Sequence, residues 1–380
     1  MKCVSMLQAG PQKFHIPSTD WRRGFARAVG LFTVALFCLS ATTLMAQEDH
    51  DDAFLPNPVR SVSTVPSNGD VNPYGVAFVP DTLNAGKLHP GNILVSNFNA
   101  KSNLQGTGTT IVQVPRAGNP TAFFHGATGL GLSTALQVLK AGFVLVGNFP
   151  SANGTCANAQ AGSILALTAN GKVFANIVDP NINGPWDSTV IDRGNEVTLF
   201  VANGLSGTVS RIVLAQGPSG PYVKSSLQIG SGYQHQCDAV TFVDAPTGLV
   251  YDWRSGDLFV ASTMDNKIYA LHDAATINKD QGTGRVIYED NKHLHGPLAM
   301  AMAPNGHLLV SNNDAINPDP NQPSEIVEFT VEGKFVKQLS VDPSAGASFG
   351  LNVMTEHGVS TFAAVDDATN MLLIWKLPQD

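Results

Sequence analysis

The chain has 380 residues, 43% of them apolar and 14% charged, with 36 glycines, 23 prolines and a net charge of −8. It has no basic stripe, which excludes nucleic acid as a partner. One apolar run near the start, with no second one after it, excludes an integral membrane domain in the mature protein.

Lys2, Lys13, Arg22, Arg23 and Arg27 form a basic leader ahead of the apolar run Ala28–Ala41, and Leu44-Met45-Ala46 offers a signal-peptidase site before Gln47. The run is shorter than the ~20 residues that a span prefers. Residues 1–46 therefore read as a cleaved signal peptide, and the protein as exported, periplasmic or extracellular. Residues 47–58 are acidic and turn-rich and read as a flexible leader.

From residue 59 onward a Gly- or Pro-marked turn repeatedly leads into a short apolar strand. A second strand follows and ends in a small residue plus Asn, Ser or Asp. The second strands close at Asn97, Asn148, Asn203, Ser262, Asn312 and Asp366. A period of about 50 residues points to stacked sheet modules. The first strands begin at Pro73, Gly129, Gly184, Cys237, Gly296 and Phe349, with insertions expected around Leu83–Pro90 and Gly248–Ser255. Third strands read at Thr110–Val114, Ser163–Thr168, Thr208–Leu214, Lys267–Leu271, Glu325–Thr330 and Asn370–Leu377. Hairpin turns such as Asn170-Gly171 and Glu332-Gly333 lead into fourth strands at Val173–Ile177 and Phe335–Leu339. Leu132–Lys140 and Asp273–Asn278 read as short helical turns.

The sixth repeat runs out of chain before a fourth strand, and Val59–Val65 is an extended segment with no repeat of its own. The expected architecture is thus all-β: a six-bladed β-propeller over 59–377 with four-stranded blades, the last closed by an N-terminal strand. Closure removes the open edges that invite aggregation. In the mature region Cys156 falls in the second repeat and Cys237 in the fourth. A disulfide and two separate thiols both stay open, since a bond requires both loops over one rim.

Pro73-Tyr74-Gly75-Val76-Ala77 with Ser96-Asn97, the run Ala261–Tyr269 and the run Pro304–Asn312 resemble the repeat of the NHL and related six-bladed propeller families. That resemblance spans about residues 59–377 and implies the fold; its motifs are structural, so function is implied only by analogy. Asn97, Asn148, Asn203, Asn312 and Asp366 have a structural task in any case, because such side chains bond to nearby backbone and fix strand ends.

Loops entering the inner strands converge on the channel of such a fold. There the sequence suggests binding of a protein or small-molecule ligand, with Tyr74 and Trp186 as apolar walls and Asp187 on the rim beside Glu356-His357. His125, His235 and His295 also precede inner strands, and three imidazoles suit zinc or another transition metal. This is similar in context to peptidyl-amidoglycolate lyase, which implies an alternative function as a metal-dependent lyase or hydrolase, with Tyr233 or Asp238 as proton-transfer groups. Calcium is the second metal candidate, at Asn312-Asn313-Asp314 with Asn317 and Asp319. No nucleophile elbow, Walker loop or His-Glu-x-x-His site is present.

Overall fold

A computed structural model of the chain describes residues 52–57, 60–217 and 220–378, all within the unit His50–Asp380. The proposed signal peptide lies outside the described residues.

Strand β1 (Arg60–Ser63) precedes blade 1, which is β2 (Val71–Phe78), β3 (Ile93–Asn99), β4 (Thr110–Val114) and β5 (Thr121–His125). Blade 2 is β6 (Leu132–Val138), β7 (Val144–Asn148), β8 (Ser163–Leu167) and β9 (Val173–Ile177). Blade 3 is β10 (Pro185–Asp192), β11 (Glu196–Asn203), β12 (Thr208–Gly217) and β13 (Gly220–Gly230). A separate hairpin, β14 (Gln236–Asp238) and β15 (Phe242–Asp244), intervenes before blade 4. Blade 4 is β16 (Pro246–Tyr251), β17 (Leu258–Ser262), β18 (Lys267–Leu271) and β19 (Arg285–Glu289). Blade 5 is β20 (Pro297–Met302), β21 (Leu308–Asn312), β22 (Glu325–Phe329) and β23 (Phe335–Ser340). The last strands are β24 (Ser348–Glu356), β25 (Val359–Asp366) and β26 (Met371–Pro378), and β1 joins them in the order β1-β26-β25-β24. The expected closure is therefore present, with Arg60 opposite Ile374 and Ser63 opposite Met371.

Each blade is antiparallel, and every inner strand carries a register shift near its start, as between Pro73 and Val76 or Pro297 and Met300. Such bulges turn carbonyls out of the ladder. Hydroxyls of the preceding blade take them up: Ser96 donates to Ser133 O at 2.8 Å, Ser133 to Pro185 O at 2.7 Å and Thr263 to Pro297 O at 2.8 Å. This gives the small residue its task where it is a serine, as at Ser96. Its Asn neighbour pins the incoming connection, as Asn148 Nδ2 does to Leu130 O at 2.6 Å and Asn312 Nδ2 to His293 O at 2.8 Å. Inner strands also press together so closely that a Cβ at Gly350 would sit 1.7 Å from Tyr74 O, which demands glycine there.

Four sequence expectations need correction. Leu132–Val138 is the inner strand of blade 2, not a helical turn; Leu132 and Leu136 pack into the core shared with blade 1. Cys237–Val240 does not open blade 4, because Asp238 Oδ1 accepts from the N–H groups of Val240 (2.6 Å) and Thr241 (2.9 Å) and folds the segment into a hairpin. The stretch read as an insertion from Gly248 supplies the true inner strand, β16. Finally, Asp52–Asn57 is seated, not loose. Leu55 is 2% exposed in the core of blades 5 and 6, and the buried Glu328 carboxylate accepts from the N–H groups of Phe54 (2.9 Å) and Leu55 (3.1 Å). Burying a leucine contributes ~1.5–3 kcal/mol, enough to hold a short segment.

Candidate ligand pocket over an aromatic plug

The connections into the inner strands and the loops after the second strands share one face, here the upper face. The residue after each strand-ending Asn or Asp turns toward the axis. In blades 1 and 2 it is Phe98 and Phe149, and these join Tyr74, Trp186, Phe242 and Phe349 in one buried cluster. Tyr74 stacks between Phe98 (4.6 Å) and Phe349 (4.5 Å), and Phe242 sets edges on Phe98 (5.2 Å) and Phe149 (5.3 Å). Aromatic pairs of this kind each add ~0.5–1.5 kcal/mol beyond burial. Together they plug the upper end of the channel.

The plug depends on the inserted hairpin, which delivers Phe242. That hairpin is tied down by a disulfide between Cys156 and Cys237, with Cα atoms 5.3 Å apart. Of the two alternatives open from sequence, the bond is the one present.

In blades 5 and 6 the residues after the strand end are polar, Asn313 and Asp367. They line a pocket of about 440 Å³ above the plug. Tyr74 and Phe349 form its floor; Asn72, Asp238, Asp244 and Asp314 form its walls. None of its lining residues is Lys, Arg or His. Asp314 is 8% exposed; its Oδ2 accepts from Ser324 N (2.9 Å) and Gly346 N (3.0 Å), while its Oδ1 finds no partner among the described residues. Burial pushes the Asp367 carboxyl up to about 7, with the neighbouring Asp366 charge adding to the effect. The same burial, with Asp367 beside it, raises the Tyr74 phenol well above its ordinary value. Turning the Asn72 amide toward Asp367 (3.0 Å) lets its oxygen accept from Asn99 Nδ2 at 2.8 Å. The result is a concave acidic cup above the edges of stacked aromatic rings, suited to a cationic group that meets the carboxylates.

The sequence-derived candidates distribute unevenly over this geometry. Tyr74 lies under the cup and is 1% exposed, so it is floor and core at once; Trp186, also 1% exposed, belongs to the plug below and offers no ligand wall. Asp238 reaches the cup, but its carboxylate is held below the usual range, chiefly by the Thr241 N–H, as hairpin-turn chemistry requires. Tyr233 does not reach it: the ring is buried between blades 3 and 4, its hydroxyl donates to Thr283 O (3.1 Å), and burial raises its pKa. Asp187 is on the far side of the plug. It lines a cavity of about 130 Å³ enclosed by all six inner strands, accepts from Leu249 N at 3.0 Å, and burial pushes its carboxyl up to about 7. Glu356 and His357 sit at the β24–β25 turn, on the opposite rim.

The three histidines do not converge. Among the described residues no three His, Cys, Asp or Glu side chains form a metal-holding group. His125 is exposed at the end of an outer strand and faces Asn68 Nδ2 at 3.4 Å. His235 is exposed with Nδ1 3.2 Å from Tyr233 O, and His295 is 2% exposed with both ring nitrogens on backbone carbonyls of Asn317 and Lys292. Zinc or another transition metal on these residues does not fit. Calcium on Asn312-Asn313-Asp314 fares no better, since the Asn312 amide is already spent on His293 O and His295 N.

No protein-family model matches the chain, and no curated protein matches it. Solved structures do. Regucalcin from Agrobacterium tumefaciens, a calcium-binding protein, superposes with a TM-score of 0.51 at 11% identity, over 84% of this chain and 95% of its own. An oxidoreductase (glucose dehydrogenase) from Thermus thermophilus gives 0.50 at 13% identity, over 84% and 100%. At these identities the likeness is one of fold, and it agrees with the blade count above: the chain is a six-bladed β-propeller.

Proposed function

We propose that this protein is an exported, NHL-like six-bladed propeller that binds a cationic group in the cup above its aromatic plug. The group is an amine or guanidinium, carried by a small molecule or by a side chain of a protein partner. The observation that carries this reading is the buried Asp314 Oδ1, unpartnered and beside the cup whose lining holds four aspartates and no basic residue. An unmatched carboxylate oxygen in a buried place is costly unless something completes it. Export is supported by the leader at residues 1–46 and by the Cys156–Cys237 bond, since disulfides persist in oxidising compartments. The lyase or hydrolase reading needed His125, His235 and His295 on one ion, and nothing in the geometry favours it.

The test is a thermal-shift screen of the purified protein against amines, guanidines, divalent cations and neutral sugars, run beside Asp314→Asn and Asp367→Asn. A stabilising cation whose effect disappears in both variants supports the cup as its site. Stabilisation that is unchanged in both variants rules the cup out.

A further inference from the structure

A second cavity lies where the ring closes. Between blades 6 and 1, on the rim opposite the cup, a space of about 330 Å³ opens between the two sheets. It falls at the small end of the ~300–1,000 Å³ typical of small-molecule sites. The neighbouring seams are filled from the chain itself: Leu83 and Leu88 of the β2–β3 loop pack into the seam of blades 1 and 2, and Leu55 into that of blades 5 and 6. No such segment among the described residues enters the seam of blades 6 and 1.

The floor is apolar, formed by Val62, Ile93, Val114, Met354 and Ile374. The rim is charged, and its charges are of two kinds. Arg116 crosses one end: its Nε donates to Pro90 O (3.0 Å) and its Nη2 meets Asp81 (2.9 Å) and Glu356. His357 is 3.8 Å from Asp81 at that same end. The Arg116 charge is thus compensated. Arg60 and Lys376, at the other end, have no acidic partner among the described residues. Register puts both on the face that carries Val62 and Ile374, because Arg60 stands opposite Ile374 and Lys376 is two residues further along β26. Diagonal neighbours of this type are ~7–8 Å apart at Cα, within reach of one carboxylate between two long side chains. Glu356, the acid on this rim, lies two strands away on β24, a separation of roughly 10 Å.

We propose that this seam binds a small amphiphilic monoanion, a medium-chain carboxylate such as octanoate or decanoate. Its chain lies on the apolar floor and its carboxylate sits between Arg60 and Lys376. At about 30 Å³ per water-sized group the space takes on the order of ten heavy atoms, which matches these two acids. Burial of the chain supplies most of the affinity, and the two cations select the charge.

Titration calorimetry of the purified protein with decanoate, decanol and decyltrimethylammonium tests this, beside Arg60→Glu, Lys376→Glu and the cavity-filling Thr361→Trp. Decanoate should bind saturably at one per chain, with decanol and the ammonium about tenfold weaker or worse. Each charge reversal should weaken decanoate roughly fivefold or more, and Thr361→Trp should remove binding while circular dichroism stays unchanged. Equal binding of decanol, undiminished binding by both reversal variants, or no saturable heat with decanoate would overturn the proposal. Sedimentation with anionic phospholipid vesicles in the absence of decanoate binding would overturn it too, since it would make the cations a headgroup contact. The upper-face cup is untouched by these substitutions, so the two readings stand or fall separately.

Discussion

Cys156 and Cys237 are 81 residues apart in sequence, in loops of the second and fourth repeats, yet their Cα atoms are 5.3 Å apart and their sulfurs are bonded. The bond reaches across the upper face past blade 3. It anchors an element that breaks the repeat, the β14–β15 hairpin, at the point where that hairpin inserts Phe242 into the plug.

Closing so long a loop restricts the unfolded chain, and loss of such a bond costs about 2–5 kcal/mol. A Cys156→Ser, Cys237→Ser double variant should therefore unfold at markedly lower urea, and dithiothreitol should shift the wild-type midpoint in the same direction. An unchanged midpoint under reduction would mean that the hairpin holds without its tether.

Phe242 is fully buried with φ of 70°, a backbone conformation that a phenylalanine adopts only when its surroundings compensate. Phe242→Ala should cost ~3–5 kcal/mol in chemical denaturation. Val240→Ser, two residues away and 82% exposed, should stay within about 0.5 kcal/mol of wild type. Equal effects at the two positions would show that Phe242 does not hold the plug.

The seated N-terminal segment makes a prediction at the opposite rim. Leu55→Ala removes a buried side chain and should cost ~2–5 kcal/mol. It should also expose the stretch before β1 to limited proteolysis, because the segment then keeps its polar bonds to Glu328, Lys337 and Asn305 and the Phe54–Phe362 ring contact but loses its buried anchor. Unaltered cleavage would contradict the docking.

Stability should depend on pH in an unusual sense. Burial pushes the carboxyls of Asp187, Asp367 and Glu325 up from ordinary values near 4 to about 7. The folded state then binds more protons than the unfolded state between those values, so its stability falls as pH rises across the window. Asp187 alone should contribute on the order of a few kcal/mol. Asp187→Asn keeps an acceptor for Leu249 N and should flatten the profile while raising stability at neutral pH, as read from urea midpoints. A wild-type profile that rises from pH 4 to 7 would refute this.

Much of the fold was legible because the repeat writes its own hydrogen bonds. The Asn that closes β3, β7, β11 and β21 marks the amide that pins the incoming connection, and Ser96 beside the first of them marks a hydroxyl that crosses to the next blade. The missing strand after Trp375 announced the role of the segment at Arg60. The misreadings came where local patterns mimic another element: Cys237–Val240 has a strand's composition but Asp238 caps a turn, and Leu132–Val138 is apolar without helical partners. The site was less legible, because it is defined by differences between repeats. The residue after the strand end is Phe98, Phe149, Gly204, Thr263, Asn313 and Asp367 in turn, and that contrast of aromatic and acidic or amide at one ring position was the available signal. His125, His235 and His295 share a place ahead of inner strands in the sequence, but tertiary placement scatters them.

The central claim is that the cup takes a cation on ionised aspartates. The most direct measurement is calorimetric titration of the tightest-binding amine or guanidine as a function of pH, in wild type and in Asp367→Asn. Because Asp367 loses its proton near pH 7 and a cation favours the ionised form, affinity should rise as pH increases through that point, and the rise should vanish in the variant. Binding that is independent of pH, or that rises equally in Asp367→Asn, would contradict the account.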